Sequence, residues 1–121
     1  MPKRAFLLYI NDIQSSCNKI LTYTKNYDFE QFKKDEKTVD AVVRNLEIMG
    51  EAAKNLPVYF KKKYKNLPWK EIVAMRNKVS HEYFGVDKEI LWKTVQDDVP
   101  FVKKEISAIK KNFKIQTLFN G

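Results

Sequence analysis

Apolar residues recur at three- and four-residue spacing through most of this chain, and that period admits one kind of element. Phe6, Ile10, Ile13, Cys17, Ile20 and Leu21 fall on one side of a helix expected from about residue 4 to 25. Val39, Val42, Val43, Leu46, Met49, Ala53 and Leu56 form the stripe of a second long helix, which Pro57 ends. Ile90, Leu91, Val95, Val102, Ile106, Ile109 and Phe113 predict a last helix from about 88 to 114, kinked or interrupted at Pro100. Three glycines and four prolines in 121 residues are too few for a sheet built on many tight turns. The expected fold class is an all-α bundle of four to five helices. It forms one domain over 1–121, with a tail after Lys114 that frays.

Local signals fill in the connections. Asp28 and Gln31 have the spacing of a capping box opening a short turn around Phe29 and Phe32. Gly50 sits inside the second helix, where glycine costs about 1 kcal/mol relative to alanine, so close helix–helix approach is expected there. Residues 58–66 read as a short helix or loop. In it Tyr59, Phe60 and Tyr64 interleave with Lys61, Lys62, Lys63 and Lys65. Pro68 takes the favoured first-turn position of a further helix containing Trp69, Ile72 and Val73. Gly85 and Asp87 read as a stop followed by an N-cap.

The net charge of +8 favours nucleic acid, an anionic surface or an acidic protein as partner. Lysine supplies most of it, and arginine occurs only at Arg4, Arg44 and Arg76. That scarcity marks Arg76, because bidentate gripping of phosphate prefers a guanidinium. No apolar run approaches the roughly 18 residues of a membrane span, and the N-terminus lacks the apolar core of a secretory signal. Cys17 is alone, so no internal disulfide is expected. These features favour a cytoplasmic protein with no membrane association, and Cys17 reads most simply as a small buried filler.

The chemistry-bearing run is Met75-Arg76-Asn77-Lys78-Val79-Ser80-His81-Glu82-Tyr83, which holds the only histidine. Imidazole donates and accepts protons near neutral pH without special tuning. Asn77 and His81 share one face of a helix, while Arg76, Ser80 and Tyr83 share another. Arg76 and His81 are offset by about 140°. Arginine's length, a helix end near Ser80, or a second subunit must close that gap. The set suits RNA cleavage without metal. A base frees a ribose 2′-OH to attack its own phosphate, an acid protonates the leaving oxygen, and a guanidinium stabilises the developing charge. Asn77 could orient His81 or bind a nonbridging oxygen. The residues alone leave a second reading open, a histidine that caps a helix C-terminus. The lysine run 61–65 reads either as a solvated patch or as an RNA track, with Lys78 beside the motif. No second histidine or cysteine completes a metal cage. No P-loop, dinucleotide fingerprint or nucleophile elbow is present, and no cofactor is expected.

Arg76-Asn77-Lys78-Val79-Ser80-His81-Glu82-Tyr83 resembles the R-N-x-x-x-H-x-Y signature of HepT-like proteins. These are the toxin half of MNT–HepT toxin–antitoxin systems, within the HEPN superfamily. Ile48-Met49-Gly50-Glu51-Ala52-Ala53, Pro68-Trp69-Lys70-Glu71-Ile72, Val86-Asp87 and Leu91-Trp92 agree in order. The resemblance implies a helical HEPN fold and a homodimer whose composite cleft joins both motifs. It implies metal-independent endoribonuclease activity, with Arg76 and His81 as the catalytic pair and Asn77 beside them. It also implies a nucleotidyltransferase antitoxin as partner, which transfers AMP from ATP to Tyr83. A non-enzymatic HEPN subunit that binds substrate or nucleotide for a partner nucleotidyltransferase is the alternative.

Overall fold

A computed structural model describes the backbone of residues 3–81 and 87–120, and the side chains of residues 5–76 and 87–114. The described residues are all-α. Helix α1 runs Lys3–Tyr23, α2 Phe29–Lys34, α3 Glu36–Asn55, α4 Val58–Lys63, α5 Trp69–His81, α6 Lys88–Lys93 and α7 Val99–Asn120. A π-helical turn, Thr94–Asp98, joins α6 to α7 as one rod. The bundle therefore rests on four long members, namely α1, α3, α5 and the α6–α7 rod, with α2 and α4 as short connectors.

The buried stripes follow the 3.6-residue period. Ile10, Ile13, Cys17 and Ile20 of α1 meet Val42, Val43, Leu46 and Met49 of α3 and Val102 and Ile106 of α7 in one core. Aromatic rings close the end near α4: Phe6 lies 5.2 Å from Phe60 and 6.2 Å from Phe113, centroid to centroid. At the other end Phe32 stacks 5.0 Å from Trp92.

The capping box at α2 is present in both directions. The Gln31 amide donates to Asp28 Oδ1 at 2.8 Å, and the Asp28 amide donates to Gln31 Oε1 at 2.9 Å. Asp87 caps α6 by accepting from the Glu89 amide at 2.8 Å. Gly85 lies outside the described residues.

The structure differs from expectation at four points. Pro68 sits just before α5, its carbonyl accepting from the Ile72 amide at 3.0 Å, rather than as the first helical residue. The last helix is interrupted at 94–98, upstream of Pro100. A proline ring clashes with the carbonyl four residues earlier, here Gln96, so the turn before it widens. The Val99 amide accordingly bonds to the Thr94 carbonyl, five residues back. Ile90 is 47% exposed, and its neighbour Leu91 takes the inward position. The helical backbone continues past Lys114 to Asn120.

Candidate active site

Helices α1, α3 and α5 frame a cleft of about 330 Å³ lined by Tyr9 and Asp12 of α1, a face of α3, and Arg76 of α5. The α3 face consists of Arg44, Glu47, Ile48, Glu51, Ala52 and Asn55. These positions recur at three- and four-residue steps, so the opposite side of α3 from its core stripe supplies the cleft wall.

Two consecutive residues of α3 fix Arg76. Gly50 is buried, and a Cβ placed on it would overlap Arg76 Cβ and lie 2.7 Å from Arg76 Cγ and 3.1 Å from its Cα. Only glycine lets the two helices approach this closely. Glu51 then pairs with the guanidinium, Oε2 to Nη2 at 3.0 Å, where the two side chains are 50% and 29% exposed. The Arg76 stem is held against backbone while its head stays within reach of solvent. A second guanidinium, Arg44, enters the same cleft, 3.9 Å from Glu47 and 70% exposed.

The described backbone of α5 is helical from Trp69 to His81, so Asn77 and His81 both follow Arg76 on this helix, and its last described residue is His81, one position beyond Ser80. The side chains of Asn77, Lys78 and His81 lie outside the described ones, and Tyr83 lies outside the described residues altogether.

Among the expected RNA-binding lysines, Lys61, Lys62 and Lys63 fall on α4 and Lys65 in the turn after it. They do not line the Arg76 cleft. Asn55 lines the cleft and α4 begins three residues later, and Tyr59 stacks edge-on against Phe6, 6.0 Å away, one turn of α1 from Tyr9. Tyr59 is 64% exposed. Tyr64 is tied down instead. Its ring meets Phe60 at 4.9 Å, its hydroxyl accepts from Asn112 Nδ2 at 3.2 Å, and its carbonyl accepts from Trp69 Nε1 at 2.9 Å. Partial burial lowers the pKa of the Lys61 ammonium from its ordinary value.

Sequence reasoning passed over Arg44, Glu51, Tyr9 and Asp12 as site residues. The 44-47-51-55 spacing was the available signal for the α3 members. Nothing local in the sequence places Tyr9 and Asp12 opposite them.

The fold and cleft define an all-helical, basic protein in which two guanidiniums, each beside a glutamate, line one cleft. Residues 13–109 match the family described as ribonuclease HepT-like. The chain belongs to that family, and its enzyme class is ribonuclease. A protein of Thermococcus cleftensis named probable ribonuclease HepT is 44% identical over 109 residues, covering 90% of this chain and 99% of the relative. A Methanocaldococcus jannaschii protein named as a candidate RNase is 41% identical over 109 residues, covering 90% of this chain and all of the relative. A Caldanaerobacter subterraneus protein, also named as a candidate RNase, is 42% identical over 106 residues, covering 88% and 95%. No solved structure matches the chain.

Proposed function

We propose that this protein is a metal-independent endoribonuclease acting as the toxin of a toxin–antitoxin pair. It works as a homodimer of one HEPN-like domain over residues 1–121, in the cytoplasm. The observation that carries the reading is Arg76, clamped by Gly50 and Glu51 at the edge of a nucleotide-sized cleft, with Asn77 and His81 following on the same helix.

The chemistry needs two proton transfers and one charge stabiliser. The 2′-oxygen attacks the adjacent phosphorus as a base removes its proton, and the bond to the 5′-oxygen breaks as an acid protonates it. His81 carries a proton-transfer role near neutral pH. Arg76 stabilises the negative charge that grows on the nonbridging oxygens, and Asn77 orients either partner. On a regular helix the positions of Arg76 and His81 are offset by about 140°. A symmetric dimer would close that gap by bringing two copies of the motif together across a twofold axis, giving a site built from both copies. Lys61, Lys62, Lys63, Lys65 and Lys78 supply the diffuse field that gathers the strand.

Neutralisation follows from the resemblance to MNT–HepT pairs. A nucleotidyltransferase binds the toxin and transfers AMP from ATP to the Tyr83 hydroxyl, releasing pyrophosphate. Added negative charge and bulk at a phosphate site oppose RNA entry.

The test is cleavage of RNA by purified protein in EDTA, with products ending in 2′,3′-cyclic or 3′-phosphate. His81→Ala abolishes it while the far-UV circular dichroism spectrum stays unchanged; cleavage retained in that variant contradicts the assignment. For the partner, co-expression with the active nucleotidyltransferase adds mass in multiples of AMP at Tyr83, and an unchanged mass rules out that regulation.

A further inference from the structure

The chain has 20 lysines and three arginines, yet none of the described residues lining the Arg76 cleft is a lysine, and two of the three arginines line it. Lysine suffices for a diffuse field, whereas arginine presents a rigid fork matched to phosphate. We infer that this cleft seats the nucleotide next to the cleaved bond, with Arg44 holding the flanking phosphate. The inference rests on the ribonuclease reading and extends it from the scissile phosphate to its neighbour.

Three observations carry it. First, Arg44 reaches toward Glu47 and Arg76 toward Glu51, and these two carboxylates lie one turn apart on α3, about 6 Å along its axis. The two guanidiniums thus enter the cleft at separate points, which suits two neighbouring phosphates of a strand better than one. Second, the ion pairs differ in strength. Arg76 is held by Glu51 at 3.0 Å and is largely covered, whereas Arg44 meets Glu47 at 3.9 Å and is mostly exposed. A long, exposed pair is worth little, so a phosphate displaces Glu47 from Arg44 at small cost. Third, the volume of about 330 Å³ lies at the small-ligand end of binding clefts. Partly buried Tyr9 offers a ring for a base, and Asn55 and Asp12 offer polar groups for its edge or sugar. Three carboxylates, Asp12, Glu47 and Glu51, stand against the two guanidiniums, so the lining of the empty cleft carries no net positive formal charge. That disfavours loose anions and rewards a ligand that engages both guanidiniums together.

The experiment uses the full-length protein and a fluorescein-labelled single-stranded 2′-O-methyl RNA, which lacks the attacking hydroxyl. Affinity is read by anisotropy across a salt series, and KM and kcat are measured on the cleavable counterpart. Arg44→Ala and Arg44→Gln weaken binding about tenfold, as loss of a charged hydrogen-bonding group does. They reduce the salt slope by about 0.7, one single-strand phosphate contact. KM rises and kcat stays within twofold, and Arg44→Lys restores part of the affinity. Lys104→Ala, on an exposed position of α7, leaves affinity as it was. If Arg44→Ala binds and cleaves like the parent with the same slope, Arg44 holds no phosphate and the ribonuclease reading stands without it. A fall in kcat with KM unchanged overturns the flanking-phosphate role as well. A parent protein that neither binds nor cleaves RNA removes both readings together.

Discussion

Gly50 of α3 lies so close to Arg76 of α5 that any side chain at position 50 would collide with the arginine's own stem. The same approach brings Glu51 within 3.0 Å of the guanidinium. One helix thus sets both the root and the head of Arg76.

Gly50→Ala measures this clamp. On helix propensity alone the change should stabilise α3 by about 1 kcal/mol. Because the obstruction is Arg76 Cβ, close to the backbone, α3 and α5 must instead move apart. The expected net effect in urea denaturation is a loss of about 1–3 kcal/mol, as for other overpacked cores. A variant as stable as the parent means the helices separate without cost and the clamp is not rigid.

Glu51→Gln tests the other half. The pair is too exposed to matter much for folding, so the melting temperature should barely move. With the guanidinium less firmly aimed, kcat/KM falls by about threefold to tenfold. Glu51→Asp should recover part of that loss. Unchanged kinetics in Glu51→Gln would show that Arg76 is aimed by other contacts.

Cys17 is fully buried, and loss of solvation pushes its thiol pKa up to about 12. The reactive thiolate is therefore scarce at neutral pH. A maleimide or disulfide reagent should label the native protein at the rate of global unfolding and label the denatured chain at once. Rapid labelling of folded protein would contradict the buried position.

Asp35 offers a pH test. Its carboxyl is held below its ordinary value of 3.8, first by the Tyr27 hydroxyl at 2.7 Å and then by the Thr38 hydroxyl and amide at 2.7 and 3.1 Å. A depressed carboxylate adds stability that is present above the unfolded value and lost as pH falls through the folded one. Tyr27→Phe should raise the Asp35 pKa in a carbon-detected titration. The variant should be less stable than the parent above about pH 4, with the difference fading in more acid solution. An unmoved Asp35 titration would show that the Thr38 bonds alone set it.

Much of this was legible in the sequence because burial on a helix follows its period. The stripes on α1 and α3 are those the spacing predicts, and Gly50 marked a close approach before its partner was known. Where two apolar residues adjoin, periodicity cannot choose. Ile90 and Leu91 both fit an inward face, and the ring contact of neighbouring Trp92 with Phe32 accompanies the choice of Leu91. Proline at 100 signalled an interruption, but the widened turn forms ahead of it, where the displaced carbonyl lies. The site was half readable. Arg76 stood out by scarcity, whereas Glu51, Arg44 and Tyr9 become site residues only when α1, α3 and α5 converge, which local spacing does not encode.

The central claim is that one copy's Arg76 works with the other copy's His81. The direct measurement mixes Arg76→Ala and His81→Ala proteins, each inactive alone, under conditions that exchange subunits. A mixed dimer then holds one intact composite site and one doubly substituted site. The account predicts that RNA cleavage returns to about a quarter of the parent rate, half the molecules being mixed with one working site each. If mixed dimers form, as native mass spectrometry would show, and no cleavage returns, the two groups do not act across the dimer and the claim is wrong.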